Sequence, residues 1–378
     1  MNTRKHPIRF FFAMLSLTIY FVDVQARSIP INITDKHYSL KLVTKGIDIP
    51  WGMAWLNAND MLVTDKKGEL RLIRKGQLLT QKIAGIPKVN AKSQGGLLDV
   101  EVDPNYAQNG WIYLSYAGFE GDEKGSHTSI VRGKLKGFEF VESQVIFNGS
   151  PNTTKNHHYG SRIEFDKDGY LYFSVGDRGD RGVSPQRLDR DAGKVHRIHA
   201  DGSIPTDNPF VGQSGANQTV YSYGHRNPQG MAMHPESGRI WTHEHGPKGG
   251  DEINLISAGI NYGWPVITYG VNYNGSTITD LTHKDGMQQP DWQWTPSIAP
   301  SGMTFITSEK YPHWQNKMLV GSLKFLHLVL VDLDGNTVKG DSKVFENIGR
   351  VRSVKQGADG YIYVGTDGTG IFRIVPKS

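Results

Sequence analysis

The sequence contains no cysteine among its 378 residues. Disulfide bonds are therefore excluded, and stability must come from packing and strand pairing. A glycine-rich phosphate loop followed by a helix is also missing, which argues against a nucleotide ligand. Clusters of positive charge are absent too: the net charge is +5, and the basic residues are scattered along the chain. A charge this mild does not indicate a nucleic-acid partner.

One long apolar run lies near the N-terminus, where Phe10–Val22 follows a basic start. The run is too short to span a bilayer, and Val24–Ala26 has the form of a cleavage signal. We therefore predict that residues 1–26 form a secretory signal peptide. Residues 27–378 would form one exported, periplasmic domain without a membrane span. An uncleaved membrane anchor is the alternative interpretation.

Glycine and aromatic residues are abundant and follow a repeated pattern. The 44 glycines, 18 prolines and 10% aromatic residues indicate many short strands and turns. A turn followed by an alternating aromatic and aliphatic strand occurs at 57–65, 109–116, 168–177, 237–244, 317–322 and 359–367. Six copies, about 60 residues apart, predict an all-β, six-bladed β-propeller with four-stranded blades around a central channel. A pair of β-sandwiches would not explain the repeated unit.

The third copy is flanked by a histidine and an aspartate. His158 precedes a predicted hairpin, and Asp177 follows its strand Tyr170–Val175. Such a hairpin can bring the two residues together. A histidine held by an aspartate is a common general base. Two unrelated loop residues are the alternative interpretation, and His157 is the competing base.

A second candidate site lies between His243 and Glu252. His243 and His245 alternate and could share one side of a strand as zinc or copper ligands. The same stretch contains Gly, Pro and the carboxylates of Glu244, Asp251 and Glu252. That composition also suits calcium with backbone carbonyl ligands. A plain loop is the remaining interpretation.

Four cationic side chains suggest a pocket for a polyanionic ligand: Arg226, Lys324, Arg350 and Arg352. Arg350 and Arg352 alternate on a predicted strand and therefore point to one face. They would repel each other unless an anion or a carboxylate lies between them. Lys324 is predicted to lie two residues into another strand. A solvated edge for the arginines, and a snorkelling side chain for Lys324, are the alternatives.

Taken in order, the motifs resemble the pyrroloquinoline quinone (PQQ)-dependent soluble glucose dehydrogenases and the related aldose sugar dehydrogenases. The resemblance runs from about Gly46 to Arg373, with loop lengths closer to the compact aldose dehydrogenases. It is carried by Pro50–Met53, Gln94–Leu98, His158 with Arg162, Gly176–Asp177, Gly224–Gly230, Gly246–Pro247 with Asp251–Glu252, Asn261–Pro265 and Ile298–Ser301. Each segment is weak evidence alone, and their common order is what carries the resemblance.

The resemblance implies a six-bladed propeller, in agreement with the repeat count, that binds PQQ and calcium in its channel. It implies that His158 takes the proton from the anomeric hydroxyl of an aldose while Asp177 orients and charge-stabilises it. Arg226 would stabilise negative charge developing on the quinone oxygen. The product would be a lactone, with electrons passed to an external acceptor. The spacing to Arg162 and Asp177 favours His158 over His157.

The resemblance also assigns residues to the ligands. PQQ would be held by Gln94, Arg226, Asn227, Lys324, Arg350 and Arg352. Calcium would be bound by the backbone carbonyls of Gly246 and Pro247, with Glu244 and Asp251 as further candidates, either for a second calcium or as residues that support the ligands. We expect a small-molecule aldose substrate, an external electron acceptor, and a monomer or homodimer.

Two other functions are open as hypotheses. A metal-dependent lactonase on a six-bladed propeller would need a carboxylate–amide–carboxylate metal set, and the four cations argue against it. A carbohydrate- or protein-binding propeller of the cell envelope would not need His158 and Asp177 to be paired.

Overall fold

The computed structural model describes residues 32–121 and 123–377, so the predicted signal peptide lies outside the described residues. Six antiparallel sheets, called blades 1 to 6 in chain order, follow one another along the chain. This arrangement confirms the predicted six-bladed β-propeller. No helix in the described part of the chain is long and apolar enough to cross a membrane.

Blades 1 to 3 each consist of four consecutive strands. Blade 1 contains Pro50–Trp55, Asp60–Asp65, Glu69–Arg74 and Gln77–Leu78. Blade 2 contains Leu97–Val102, Ile112–Gly118, His127–Lys136 and Glu139–Asn148. Blade 3 contains Ile163–Phe165, Tyr170–Val175, Lys194–His199 and Val220–Tyr223. The short helical turns are Tyr106–Asn109 and Ser184–Gln186.

Blades 4 to 6 complete the ring. Blade 4 contains Pro228–Met233, Ile240–Glu244, Asp251–Leu255 and Trp292–Trp294. Blade 5 contains Pro300–Phe305, Met318–Ser322, Leu328–Asp334 and Thr337–Val344. Blade 6 contains Val351–Gln356, Ile362–Thr366, Gly370–Pro376, Tyr38–Thr44 and Asn32–Thr34.

The sixth blade joins the two ends of the described chain. The N-terminal strand Tyr38–Thr44 pairs antiparallel with Gly370–Pro376, and Asn32–Thr34 adds a fifth strand outside it. The predicted four strands are therefore correct for five blades, whereas blade 6 has one more. This pairing joins the N-terminal and C-terminal strands in one blade and so closes the ring of blades.

Each of the six sequence repeats forms the second strand of its blade. The first strands pack against those of the neighbouring blades around the axis, where backbones approach closely. A Cβ atom on Gly52 would lie 2.4 Å from Asp99 Oδ1, and one on Gly302 would lie 2.3 Å from the Val354 nitrogen. Glycine at these two positions therefore lets adjacent first strands meet.

Arg162 connects four blades across the channel. Its guanidinium donates to Asp99 Oδ1 in blade 2 at 2.9 Å and to the Gln229 carbonyl in blade 4 at 3.1 Å. It also lies 4.2 Å over the ring of Trp51 in blade 1. Arg162 is only 8% exposed and Asp99 only 3%, so their ion pair is buried. The remaining core consists of apolar clusters between adjacent blades, such as the cluster of Leu62, Leu114 and their neighbours.

Candidate active site

A cavity of about 900 Å³ opens at the end of the channel where the first strands begin. Its wall combines amides and cations with one carboxylate and a few apolar side chains. The predicted residues that line it are Gln94, Asn227, Gly246, Lys324, Arg350 and Arg352. The propeller therefore brings residues from four blades to one site, as the repeat pattern predicted.

The predicted contact between His158 and Asp177 is confirmed. Ile163–Phe165 pairs with Tyr170–Val175 as a hairpin, which returns the chain to the same end of blade 3. His158 Nδ1 and Asp177 Oδ1 are 2.6 Å apart. Asp177 is 1% exposed. A short, buried contact of this kind is a charge-assisted hydrogen bond rather than a chance approach of two surface loops.

The hydrogen bond determines which nitrogen of His158 is free. Asp177 can only accept, so Nδ1 carries the proton and Nε2 keeps a lone pair. No described residue bonds Nε2, and the His158 side chain is 14% exposed. Burial is the largest cause that lowers the pKa of His158 to about 4, with Asp177 opposing and Arg226 adding to it. Although burial opposes it, the hydrogen bond from His158 lowers the pKa of Asp177. The pair is therefore a neutral imidazole beside an ionised carboxylate.

His157 has a different environment. Its ring lies edge-on to that of His158, with 4.7 Å between the centroids. Among the described residues its ring nitrogens have no hydrogen bond to a carboxylate. Of the two adjacent histidines, only His158 therefore has the geometry of an oriented base.

Two amide side chains hold the backbone around His158. Gln94 Oε1 accepts from the His158 amide at 2.8 Å, and Asn227 Oδ1 accepts from the Gly160 amide at 3.1 Å. His158 has a φ of +56°, in the left-handed region that a non-glycine residue adopts at a cost. The amides, which also line the cavity, therefore help to stabilise an unfavourable backbone conformation that aims His158.

Glu244 holds the segment that carries Arg226. Its carboxylate accepts from His225 Nδ1 at 2.8 Å and from the amides of Arg226 and Asn227 at 2.5 and 3.3 Å. Asn254 donates to it as well. These protein donors surround the buried carboxylate, which agrees with a supporting role for Glu244, whereas its role as a metal ligand stays a prediction. Arg226 itself donates to the His245 carbonyl at 2.8 Å.

Asp251 supports a neighbouring loop, and its role as a metal ligand likewise stays a prediction. Its Oδ1 accepts from the Gly246 amide at 2.8 Å and from Ser297 Oγ at 2.5 Å, and its Oδ2 accepts from the Ala299 amide at 2.8 Å. The side chain is fully buried. It therefore fixes the Gly246–Pro247 loop, with two protein donors to Oδ1 and one to Oδ2.

The Gly246–Pro247 loop is rich in carbonyl oxygens. A Cβ on Gly246 would lie 2.2 Å from the carbonyl oxygens of both Gly249 and Gly250. Within the described residues the Gly246 carbonyl has no hydrogen-bond donor, whereas that of Pro247 accepts from Val271 at 3.1 Å. No group of three or more His, Cys, Asp or Glu side chains in this part of the chain could hold a metal ion. A cation here would therefore take part of its ligands from backbone oxygens, as calcium accepts.

The zinc or copper hypothesis receives no support. His243 is buried in the strand Ile240–Glu244 with both ring nitrogens lacking a described partner. His245 lies beyond that strand, and its Nε2 is 2.6 Å from the Pro300 carbonyl. A third histidine or carboxylate ligand is not found among the described residues.

Arg350 and Arg352 share a carboxylate, as like charges on one face require. Asp367 Oδ2 lies 3.3 Å from Arg350 Nε and 3.0 Å from Arg352 Nη2. Arg352 is the more enclosed of the two, with 13% of its side chain exposed against 54% for Arg350. Since one carboxylate faces two guanidinium groups, this wall of the cavity keeps a net positive charge.

Comparison with known proteins identifies the family. Residues 47–373 match the family model described as Glucose / Sorbosone dehydrogenase. The chain belongs to this family. It is 39% identical to aldose sugar dehydrogenase YliI of Escherichia coli (strain K12) over 348 residues, which cover 90% of this chain and 93% of that protein.

Solved structures show the same similarity. The apo form of the soluble aldose sugar dehydrogenase from Escherichia coli superposes with a TM-score of 0.86 at 38% identity, covering 90% of this chain and 100% of that one. The PQQ-bound aldose sugar dehydrogenase from Streptomyces coelicolor gives 0.72 at 28% identity, covering 90% and 98%. Membership in a family of sugar dehydrogenases leaves the lactonase and binding-protein hypotheses without support.

Sequence reasoning missed three charged residues in the cavity of this dehydrogenase: Lys66, Lys248 and Asp367. Asp367 was overlooked although its repeat closely matches the one that ends in Asp177, so the equivalence of the two strand ends was readable. Lys66 was not marked by any motif. It lines the cavity and donates to the carbonyls of Ser93 and Gly95 at 2.9 and 3.1 Å. Burial, followed by the charge of Arg352, lowers the pKa of Lys66.

One predicted position in the dehydrogenase is wrong in its local structure. Lys324 was expected inside a strand, but Met318–Ser322 ends before it, and the next strand begins at Leu328. Lys324 therefore lies in the connecting loop, with its Nζ 4.9 Å from the ring of Phe325. Its side chain still reaches the cavity, as the ligand-binding role requires.

Proposed function

We propose that this sugar dehydrogenase oxidises aldoses at the anomeric carbon to lactones, using PQQ and calcium, and passes the electrons to an external acceptor. The observation that carries the proposal is the His158–Asp177 pair, 2.6 Å apart, beside a cationic cavity whose lining residue Gln94 accepts from the His158 amide. When bound there, PQQ would accept the hydride from the sugar, and calcium would polarise the quinone as a Lewis acid.

The charges of the cavity suit a tricarboxylate. Lys66, Lys248, Lys324, Arg350 and Arg352 line it, and Asp367 is the one carboxylate on its wall. Five cations against one anion leave an excess that would be unfavourable without an anionic ligand. Arginine and lysine bind carboxylates through charge-assisted hydrogen bonds, so these residues would hold the cofactor.

The base acts through its free nitrogen. His158 Nε2 would remove the proton of the anomeric hydroxyl as the C1 hydrogen leaves with its electron pair. The resulting imidazolium would be stabilised by Asp177, which stays ionised. Arg226, 6% exposed and held by Glu244, would supply positive charge close to the reacting groups. Gly246 and Pro247 would provide carbonyl oxygens for calcium.

Reconstitution of the purified apoprotein tests the proposal. Dye reduction with a panel of aldoses should require both added PQQ and added calcium. Activity in the absence of PQQ or in the absence of calcium would contradict the proposal. So would a lack of activity with every aldose when both are present. The product should be identified as the lactone by NMR before it hydrolyses.

Two adjacent histidines provide a matched pair of variants. In His158→Ala, PQQ should still bind, as its absorbance would show, while turnover falls by orders of magnitude. His157→Ala should retain most of the turnover because its ring has no hydrogen bond to Asp177, whereas that of His158 has one. The opposite result would assign the base to His157.

We also propose export to the periplasm. The apolar run Phe10–Val22 and the cleavage signal at Val24–Ala26 support this location. The mass of the protein recovered from the periplasmic fraction should correspond to a chain that begins at Arg27. A full-length chain in the membrane fraction would instead support the anchor interpretation.

A further inference from the structure

Trp264 contacts the catalytic pair, yet the reaction above gives it no role. It belongs to the segment Asn261–Pro265, which follows the third strand of blade 4. The side chain is buried, with 6% exposed. Its Nε1–H donates to Asp177 Oδ2 at 2.8 Å. An aromatic residue far along the chain is therefore bonded to the carboxylate that orients His158.

The two oxygens of Asp177 have different donors. Oδ1 accepts from His158 Nδ1 at 2.6 Å and from the Gly179 amide at 2.7 Å. Oδ2 accepts from Trp264, and no other donor to it is found in the described chain. Without the indole the carboxylate would be held from one side only. The indole therefore fixes the rotation of the carboxylate plane relative to the imidazole.

The loop around Trp264 is itself held at both backbone groups. The Trp264 amide donates to the Gly224 carbonyl at 2.8 Å, and Gln186 Nε2 donates to the Trp264 carbonyl at 2.8 Å. Gln186 also exchanges two hydrogen bonds with Asn261, at 2.8 and 3.1 Å. A residue whose backbone is fixed in this way can position another group precisely.

The same indole also faces Arg226. The guanidinium carbon lies 5.4 Å from the ring centroid, within the range of a cation–π contact. The indole of Trp264 thus contacts both charges that act on His158. Its N–H edge bonds the carboxylate of Asp177, and its face lies against the guanidinium of Arg226. Arg226 and Asp177 have opposite effects on the proton affinity of that histidine.

Packing alone does not account for the direction of the N–H group. The indole nitrogens of Trp241 and Trp292 are buried without a described partner, so this fold tolerates unpaired indoles where they only fill space. In contrast, the Trp264 nitrogen is aimed at a catalytic carboxylate. We propose that Trp264 is a positioning residue that holds Asp177 in the orientation His158 needs as a base. This inference rests on the proposed function of the pair.

Trp264→Phe tests the hydrogen bond separately from the ring. Phenylalanine keeps an aromatic face for Arg226 but removes the donor to Asp177 Oδ2. We expect kcat of the PQQ-loaded enzyme to fall about tenfold, with KM and PQQ affinity within twofold of wild type. Trp294→Phe is the matched control, because its Nε1 also donates to a carboxylate, that of Asp341 at 3.3 Å, but it does not line the cavity.

Histidine NMR gives a second readout that does not depend on turnover. The imidazole of His158 faces Asp177, Arg226 and His157. The N–H dipole of Trp264 offsets part of the negative charge of Asp177, so its removal should move the titration of His158 upward. A purely structural role would lower the melting temperature without moving this titration.

The outcomes separate the two hypotheses. Unchanged kcat and unchanged His158 titration in Trp264→Phe would overturn the role of Trp264. If the wild-type protein oxidises no aldose, the proposed function fails, whereas the NMR titration still decides whether Trp264 acts on His158. If the variant does not fold, hydrogen exchange of the Trp264 indole N–H in the wild-type protein tests the hydrogen bond to Asp177. The proton should exchange slowly with solvent, and rapid exchange would contradict the hydrogen bond.

Discussion

The exchange Asp177→Asn examines the base most directly, because it removes one charge and keeps the shape. Both oxygens of Asp177 accept from N–H groups, so the amide NH₂ of an asparagine meets a donor in either orientation. If the NH₂ group takes the position of Oδ2, it meets the indole N–H of Trp264, so that two donors face each other. If the NH₂ group takes the position of Oδ1, it meets the amide N–H of Gly179. It then also donates to His158 Nδ1, which must act as an acceptor. The second orientation moves the imidazole proton to Nε2 and abolishes the base.

The magnitude follows from these two orientations. If only the charge of Asp177 is lost, about 1.5–3 kcal/mol of charged hydrogen bonding disappears, which corresponds to a fall in kcat of about 10- to 150-fold. If the tautomer of His158 is inverted, the loss approaches about 10⁴-fold, the size seen when a catalytic histidine is held in the wrong tautomer. We therefore expect kcat to fall by at least about tenfold.

The assay is dye-linked aldose oxidation by the PQQ- and calcium-loaded protein, with ¹⁵N NMR to report the tautomer of His158. Asp207→Asn is a suitable control, because it removes a carboxylate from an ion pair with Arg197 outside the cavity. Turnover within twofold of wild type in Asp177→Asn would refute the assignment of the base. The double variant Asp177→Asn with Trp264→Phe should be faster than Asp177→Asn alone. Without the indole donor, the NH₂ group of the asparagine can take the position of Oδ2 without meeting another donor. His158 Nδ1 then keeps its proton, and Nε2 stays free to act as the base.

Three further predictions concern the cofactor pocket and the channel. Arg352→Gln should weaken PQQ binding about 10- to 100-fold, because a half-buried charged donor is lost. Titration of the apoprotein with PQQ measures this affinity, and Arg74→Gln on the surface is the control. Equal PQQ affinities of Arg352→Gln and wild type would contradict the role of Arg352. Burial raises the pKa of Glu164 to about 8, so stability should fall as pH rises from about 4.5 to about 8. Glu164→Gln should remove this dependence and melt higher than wild type at pH 8.5; a lower melting temperature there would count against it. Arg162→Leu should destabilise the protein by about 3–5 kcal/mol in urea unfolding, since the buried carboxylate of Asp99 loses its partner, and a loss below about 1 kcal/mol would be inconsistent with the central ion pair.

The pattern of acidic residues explains why part of the site could be read from the sequence. The second strands of four blades end at or just before an acidic residue: Asp65, Asp177, Glu244 and Asp367. In blades 3, 4 and 6 this residue supports a site element, namely His158, the Arg226 segment and the two arginines of blade 6. A repeated strand places equivalent positions at the same end of the ring, so periodicity predicts which residues meet. It does not predict what each one bonds.

Metal ligation was the least readable property. Glu244 and Asp251 have the residue type and the neighbourhood of calcium ligands, yet both accept hydrogen bonds from backbone and side-chain donors of the protein. A carboxylate in a sequence does not reveal whether its lone pairs are free, because its donors come from other segments. Asp251, for example, accepts from Ser297 and Ala299. Such partners are set only when the chain folds.

The sequence by itself determined the six-bladed architecture and the approach of His158 to Asp177, because a strand repeat and a hairpin are local patterns with fixed geometry. It also indicated the cationic character of the pocket. Only the tertiary structure decided which nitrogen of His158 is free, that Lys66 and Asp367 line the cavity, and that Trp264 holds Asp177 from 87 positions away. These facts depend on single hydrogen bonds between distant segments, and a hydrogen bond requires positions accurate to a few tenths of an ångström, which no sequence pattern supplies.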